Sequence, residues 1–318
     1  MKKSVLETIG SPLVELDGPE GATVAAKLEG QNPGGSAKDR PALEMIRAAE
    51  RAGQIEPGDT LVEATSGNTG IGLALVTAAR GYDLTIVMGE GMSTERRRLL
   101  RAYGANLELV EGDVGAANRR AETIADEAGA FRVSQFSSPD NPAAHYRTTG
   151  PEIVDQVGDR TVDAFVAAVG TGGTIAGTSR YLREHYPDPT VVGVEPASNP
   201  VLSAGEPAPN DFQGMGPSFV PETLDRDAID RVEAVALDAA EAECRRLART
   251  DGMLVGQSSG AASVAARRIA EGIAADADDP LVVTVFPDSG ERYLSTGLFE
   301  ANGPAANATD DWVANPDS

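Results

Sequence analysis

Lysine is scarce in this chain: Lys2, Lys3, Lys27 and Lys38 are the only four. Lys38 lies in NPGGSAKDR (residues 32–40), where Pro and Gly end one element and Ser36-Ala37-Lys38-Asp39 open a helix. At a helix start the backbone dipole disfavours a cation, which lowers the pKa of an amine placed there. Such an amine can form a Schiff base and serve as a general base. An isolated lysine near a helix start is ordinarily a surface residue. The rarity of lysine here, and the Gly-rich strand-to-helix turn around Lys38, set it apart.

Three further turns could hold anions or polar ring atoms. EATSGNTGIG (residues 63–72) gathers Thr65, Ser66, Gly67, Asn68 and Thr69 ahead of an apolar helix. Its backbone N–H groups and hydroxyls suit an anion, whereas N-capping alone would need a single such side chain. VGTGGTIAG (residues 169–177) places Gly170, Gly172 and Gly173 beside Thr171 and Thr174, so the backbone can approach a phosphate closely. A dinucleotide fold is the rival, with Glu195 where a ribose-binding acid would sit, but G-x-G-x-x-G fails because Ile175 fills the third position. The phosphate of a small cofactor is the better reading. GQSSGA (residues 256–261) sets Ser258 and Ser259 at a helix start and by itself signals only an N-cap.

These turns need strands and helices in alternation, and the hydrophobic pattern supplies them. Strands are expected at 23–28, 60–63, 84–88, 106–110, 164–169, 191–194 and 281–286. Helices are expected at 41–52, 69–80, 93–103, 115–128, 174–184, 237–250 and 260–272. Alternation of this kind predicts an α/β protein with parallel sheets and helical crossovers. Polar and Pro residues cluster at 136–142, which reads as a domain boundary. The Pro/Gly-rich stretch 196–221 is too long for a plain connection and reads as functional. The acidic, aperiodic tail 301–318 reads as disordered.

Composition excludes several classes. The 318 residues carry a formal net charge of −22, which repels nucleic acid and anionic membranes. The acidic, Lys-poor surface suggests adaptation to concentrated salt. Cys244 is the single cysteine, and His145 and His185 share no ligand spacing, so neither a disulfide nor a metal site is expected. Cys244 reads as a structural residue, His145 as a packing or hydrogen-bonding one, and Arg96, Arg97 and Arg98 as a solvated helix face. No apolar run reaches the roughly 18 residues of a membrane span, and no signal-peptide core opens the chain, so a cytoplasmic location is expected.

Taken in order, IGSPLVEL (9–16), NPGGSAKDR, EATSGNTG, the QF…NP…H…TTGPEI segment (135–153), VGTGGT, GVEP (193–196), SSGA and PDSGERYLST (287–296) carry a resemblance. The chain resembles the cysteine synthase group of fold-type II pyridoxal-phosphate enzymes, which also includes cystathionine β-synthase, over about residues 5 to 300. The resemblance implies two domains of the tryptophan synthase β kind, each with a mostly parallel sheet flanked by helices. Residues 38–140 would form the smaller, mobile domain, and 1–37 with 141–300 the larger, cofactor-binding one. It implies that Lys38 holds pyridoxal 5'-phosphate as an imine and that Gly170, Thr171, Gly172, Gly173 and Thr174 hold the phosphate. Asn68 would meet the ring hydroxyl and Ser258 the ring nitrogen. Thr65, Ser66, Gly67, Thr69, Gln135 and Gly214 would receive the substrate.

The implied reaction is β-replacement on an O-activated serine, foremost O-acetyl-L-serine, with sulfide adding to an aminoacrylate intermediate to give L-cysteine. A serine at the ring nitrogen fits this, since a hydroxyl makes the ring a weaker electron sink than a carboxylate would. Condensation of serine with homocysteine, O-phosphoserine as donor, serine or threonine dehydration and a silent binding role are the alternatives. A homodimer, and a serine acetyltransferase as partner, are expected from the family alone. The sequence departs from the pattern in two places. The opening segment is a residue short at Ser11. The loop QGMGPSFVP (213–221) carries Met215, Pro217 and Ser218 where the group has other residues, on the side expected to face substrate.

Overall fold

A computed structural model of the chain describes residues 1–65, 67–90, 94–112, 114–275 and 279–300. Ser66 and the expected disordered tail lie outside the described residues. The strands are β1 (Leu13–Leu16), β2 (Thr23–Leu28), β3 (Thr60–Ala64), β4 (Asp83–Gly89), β5 (Asn106–Val110), β6 (Phe131–Arg132), β7 (Ala164–Ala168), β8 (Thr190–Pro196), β9 (Arg231–Val235) and β10 (Leu281–Phe286). The helices are α1 (Asp39–Arg51), α2 (Asn68–Arg80), α3 (Thr94–Ala102), α4 (Val114–Ala128), α5 (Asp140–Arg147), α6 (Thr149–Val157), α7 (Gly173–His185), α8 (Leu237–Arg246) and α9 (Gln257–Ile273). Two sheets result. The larger has the order β1-β2-β10-β7-β8-β9, parallel except for β1 against β2. The smaller has the order β5-β4-β3-β6, all parallel.

Successive side chains of a strand point to opposite faces, so a parallel strand covered on both sides must be apolar at nearly every position. β7 illustrates this. Ala164 and Val166 join a core with Ala261, Ala265 and Ile269 of α9, whereas Phe165 and Ala167 face Ile153 of α6 with Ile175 and Leu182 of α7. β3 and β4 divide their residues in the same way between α1 and α2 on one side and α4 on the other.

Five elements escape the hydrophobic pattern: β1, β6, β9, α5 and α6. β6 spans two residues, and β9 reads RVEAV, an edge strand with polar alternation. α5, DNPAAHYR, carries Pro142 in its first turn, where a missing N–H does no harm, and the polar cluster masks it. The stretch from 197 to 221 contains no strand or helix.

A buried ion network fixes where α1 begins. Arg40 bonds both oxygens of Glu29, at 2.7 and 2.8 Å, and both oxygens of Glu152, at 2.6 and 2.7 Å. Lys27 reaches the Glu152 carboxylate at 2.7 Å and Gln156 at 2.9 Å, and also donates to the Ser11 carbonyl. Two cations thus meet two anions between β2, α1 and α6. Burial would push Glu29 up, but the charge and hydrogen bonds of Arg40 outweigh it and hold the carboxyl at about 2. The pair therefore stabilises the fold above the ordinary glutamate value of 4.5, and that stability is lost as pH falls through about 2. Removing one partner leaves the other charge buried and alone. Arg40→Leu is expected to cost about 3–5 kcal/mol in urea unfolding at pH 7, and the deficit should shrink as the pH is lowered from 4.5 toward 2.

Candidate active site

Four chain segments converge at the carboxyl ends of β2, β10 and β7. They enclose a cleft of about 410 Å³, counting its open mouth, lined by Lys38, Gly170, Thr171, Gly172, Thr174, Gly214 and Ser258 with apolar residues of β7 and β10. It occupies the position expected of ligands in open parallel sheets.

Lys38 caps the start of α1, as the Gly-rich turn suggests. Its amine is drawn below the ordinary lysine value first by burial, while Asp288 and Glu29 pull it back up. The comparison with Lys27 sets Lys38 apart. Both are buried enough for desolvation to lower them, but Lys27 is saturated by Glu152, Gln156 and the Ser11 carbonyl. The Lys38 amine takes no hydrogen bond or ion pair from the described residues and faces the cleft.

The loop after β7 shows why it must be glycine-rich. Gly172 has φ +85°, and a Cβ there would stand 2.6 Å from the Leu224 Cβ. A Cβ on Gly170 would stand 2.8 Å from the Gly214 carbonyl oxygen, and one on Gly173 would strike the Asn141 side chain. The chain is pinned close against its neighbours, and α7 starts at once with its N–H groups toward the cleft. Thr171 Oγ1 accepts from Asn141 Nδ2 at 3.0 Å. The Thr174 hydroxyl lies 3.2 Å from His145 Nε2, and His145 Nδ1 lies 2.9 Å from the Thr149 hydroxyl. Burial holds His145 at about 3, so a neutral imidazole orients Thr174. His145 is thus the hydrogen-bonding residue the sequence suggested, with a partner no local pattern could reveal.

Ser258 is 4% exposed in the first turn of α9, and its hydroxyl takes no partner from the described residues. Gly214, with φ +88°, completes the opposite wall. The remaining expected residues stand apart from this lining. Asn68 opens α2 with both ends of its amide engaged: Nδ2 donates to Asp288 at 2.7 Å, and Oδ1 accepts from Arg292. Thr69 donates to Gln135 Oε1 at 2.5 Å, and Gln135 is placed by Glu63, whose carboxylate accepts from the N–H of Ser134 at 2.8 Å and of Gln135 at 3.4 Å. The Thr65 hydroxyl accepts from the Gly67 N–H at 3.2 Å. Asn68, Thr65, Gly67, Thr69 and Gln135 therefore form a second group beside the cleft that Lys38 lines.

Two expectations are corrected. Met215 is buried in the core of the large sheet, and Pro217 lines a separate small cavity with Glu195 and Asn199, so these departures do not face the Lys38 cleft. Arg96 is not simply solvated; it donates to the Gln213 side chain at 3.1 Å, across from the smaller sheet to the 196–221 loop. Cys244 is fully buried, with its thiol pushed up to about 12 by burial, and acts as packing.

Residues 6–288 match the model of the family described as pyridoxal-phosphate dependent enzymes. The chain belongs to that family. It is 49% identical over 295 residues to a cysteine synthase of Staphylococcus aureus, covering 91% of this chain and 94% of that protein. It is 43% identical over 320 residues to an O-ureido-L-serine synthase of Streptomyces lavendulae, covering 99% and 97%. Among solved structures, an O-ureido-L-serine synthase superposes with a TM-score of 0.91 at 42% identity, over 99% of this chain and 100% of that one. A cysteine synthase of Entamoeba histolytica gives 0.91 at 35% identity, over 96% and 93%.

The cleft fits what a pyridoxal-phosphate enzyme must hold. It offers an unpaired amine for an aldehyde, an unpartnered buried hydroxyl and a helix N-terminus for a phosphate dianion, all on one lining. Adding a side chain to the left-handed Gly172 should spoil this geometry. Gly172→Ala is expected to weaken pyridoxal-phosphate binding at least about tenfold in an absorbance titration, the equivalent of about 1.4 kcal/mol of backbone strain and crowding.

Proposed function

We propose that this enzyme replaces the β-oxygen group of an O-activated serine, foremost O-acetyl-L-serine, with sulfide to form L-cysteine. The observation that carries the reading is the unpaired Lys38 amine in one cleft with the Gly170–Thr174 helix start and Ser258. The names of the relatives supply the substrate class.

In this reading Lys38 holds the cofactor aldehyde through Nζ, and the N–H groups and hydroxyls of Gly170, Thr171, Gly172, Gly173 and Thr174 hold its phosphate. Ser258 faces the ring nitrogen and Asn68 the ring hydroxyl. Bound pyridoxal phosphate supplies an electron sink for the substrate α-carbon. The Lys38 amine, drawn below the ordinary lysine value by burial, takes the α-proton and later returns it. A hydroxyl at position 258 cannot fix a proton on the ring as a carboxylate would, which favours loss of the β-group over transamination. Thr65, Ser66, Gly67, Thr69 and Gln135 supply donors for the substrate carboxylate, and Gly214 leaves room beside it. Movement of the segment 38–140 would then keep water from the reacting carbon.

Action as a cytoplasmic homodimer, with a serine acetyltransferase as possible partner and tolerance of concentrated salt, belongs to the same proposal. The salt expectation is supported by the net charge of −22. The O-ureido-L-serine synthase relative makes the acceptor the point to test.

The experiment offers purified holoenzyme O-acetyl-L-serine, O-phospho-L-serine and L-serine in turn, each with sulfide or homocysteine, and measures products. L-cysteine from O-acetyl-L-serine and sulfide is expected to exceed every other pair, and Lys38→Ala should lose it by a factor of about a thousand or more. Release of keto acid and ammonia at the same rate without an acceptor would contradict the proposal in favour of a dehydratase.

A further inference from the structure

Asp288, just past the end of β10, is 2% exposed and belongs to none of the roles above. Its backbone pairs with Ser36, two residues before Lys38, and the neighbouring Pro287 carbonyl accepts from the Ala37 N–H at 2.8 Å. Pro287 itself lines the cleft with Lys38. Oδ2 of Asp288 accepts from Asn68 Nδ2 at 2.7 Å and from the Tyr293 hydroxyl at 2.9 Å, while Oδ1 is buried with no partner. Gly256, two residues before Ser258, leaves room for this carboxylate: a Cβ there would strike Oδ1.

The surrounding charges distinguish Asp288 from its one rival. Two carboxylates pull on the Lys38 amine, Asp288 first and Glu29 second. Glu29 is already bound by the Arg40 guanidinium, whereas both donors to Asp288 are neutral. Arg292 stands nearby, but its guanidinium is bonded to Asn68 Oδ1 and the Gly34 carbonyl and makes no hydrogen bond to Asp288. Arg96 acts on the Tyr293 side of the carboxylate, Cys244 lies beyond Gly256, and Asp39 turns away to the Gly34 N–H at 2.5 Å. His145, the remaining group that acts on Lys38's neighbourhood, is neutral.

We propose that Asp288 is a positioning residue for Lys38, serving as the counter-charge that lets the amine carry a proton inside the cleft. Without it, an ammonium there would be a buried charge set against a distant, already neutralised Glu29. With it, Lys38 can hold a proton between taking and returning it, while neutral donors keep the carboxylate in place. The inference rests on Lys38 being the reacting lysine.

The test reads the amine itself, so it does not depend on whether the cofactor reaction proceeds. Full-length chain freed of cofactor is acetylated at a series of pH values, and Lys38 modification is followed by peptide mass spectrometry with exposed Lys2 and Lys3 as internal standards. Asp288→Asn keeps the shape and removes the charge, so the midpoint of the Lys38 profile should shift to lower pH. Tyr293→Phe removes one donor and leaves the charge less dispersed, so the midpoint should shift to higher pH. Opposite shifts support the proposal. A midpoint unmoved in Asp288→Asn, or moved the same way in both variants, overturns it as mere loosening. Should Asp288→Asn fail to melt cooperatively, Tyr293→Phe decides alone: an upward shift supports the counter-charge, and no shift or a downward one overturns it.

Discussion

An amine withdrawn from water and given no partner is costly, and the site is organised around keeping one in that condition. The chain contains the control within itself. Lys27 sits a short way along the same segment and is neutralised by Glu152, as a buried lysine ordinarily must be. Lys38 has no such directly bonded acid, because the carboxylates near it are hydrogen-bonded to other groups. Glu29 is held by Arg40, Asp39 by the Gly34 N–H, and Asp288 by Asn68 and Tyr293. The free energy for this comes from the fold: the Arg40 network and the apolar layers on both faces of the large sheet hold the start of α1 where the amine faces the cleft.

The remaining site follows from the parallel topology. Strands that all run the same way deliver their strand-to-helix turns to one edge, so turns distant in sequence meet there. The turn before α1 brings the lysine, the turn after β7 brings a helix N-terminus crowded against Asn141 and Leu224, and the turn before α9 brings Ser258. At Gly170, Gly172 and Gly173 of the middle turn only glycine fits, because the backbone there lies too close to its neighbours for a Cβ. The smaller sheet adds a fourth turn, Thr65–Thr69, which is tied to Gln135 and, through Asn68, to Asp288 and Arg292 of the larger unit.

Much of this was legible in the sequence, for physical reasons. Gly, Ser, Thr and Asn clusters between apolar runs are local signals, so the four turns and most strands and helices could be read directly. The pairings that tune the site are not local. Glu152 meets Arg40 across 112 residues, Asn68 meets Asp288 across 220, and Arg292 meets Asn68 across 224. No periodicity encodes such contacts. The PDSGERYLST run is conspicuous as a motif, yet nothing in it says that its aspartate pairs with the turn that carries Lys38. Short or polar elements such as β6, β9 and α5 were hidden because pattern strength grows with length. The 213–221 loop misled in the opposite sense: its unusual residues suggested substrate contact, whereas Met215 fills the core and only Gly214 reaches the cleft.

The central claim is that Lys38, and not Lys27, joins covalently to pyridoxal phosphate. Reducing the holoenzyme with borohydride, digesting it and mapping the pyridoxyl mass tests this directly. The account predicts the label on the peptide containing Lys38, in near-stoichiometric amount and absent from Lys27. A label on Lys27, or none on either lysine, would contradict it.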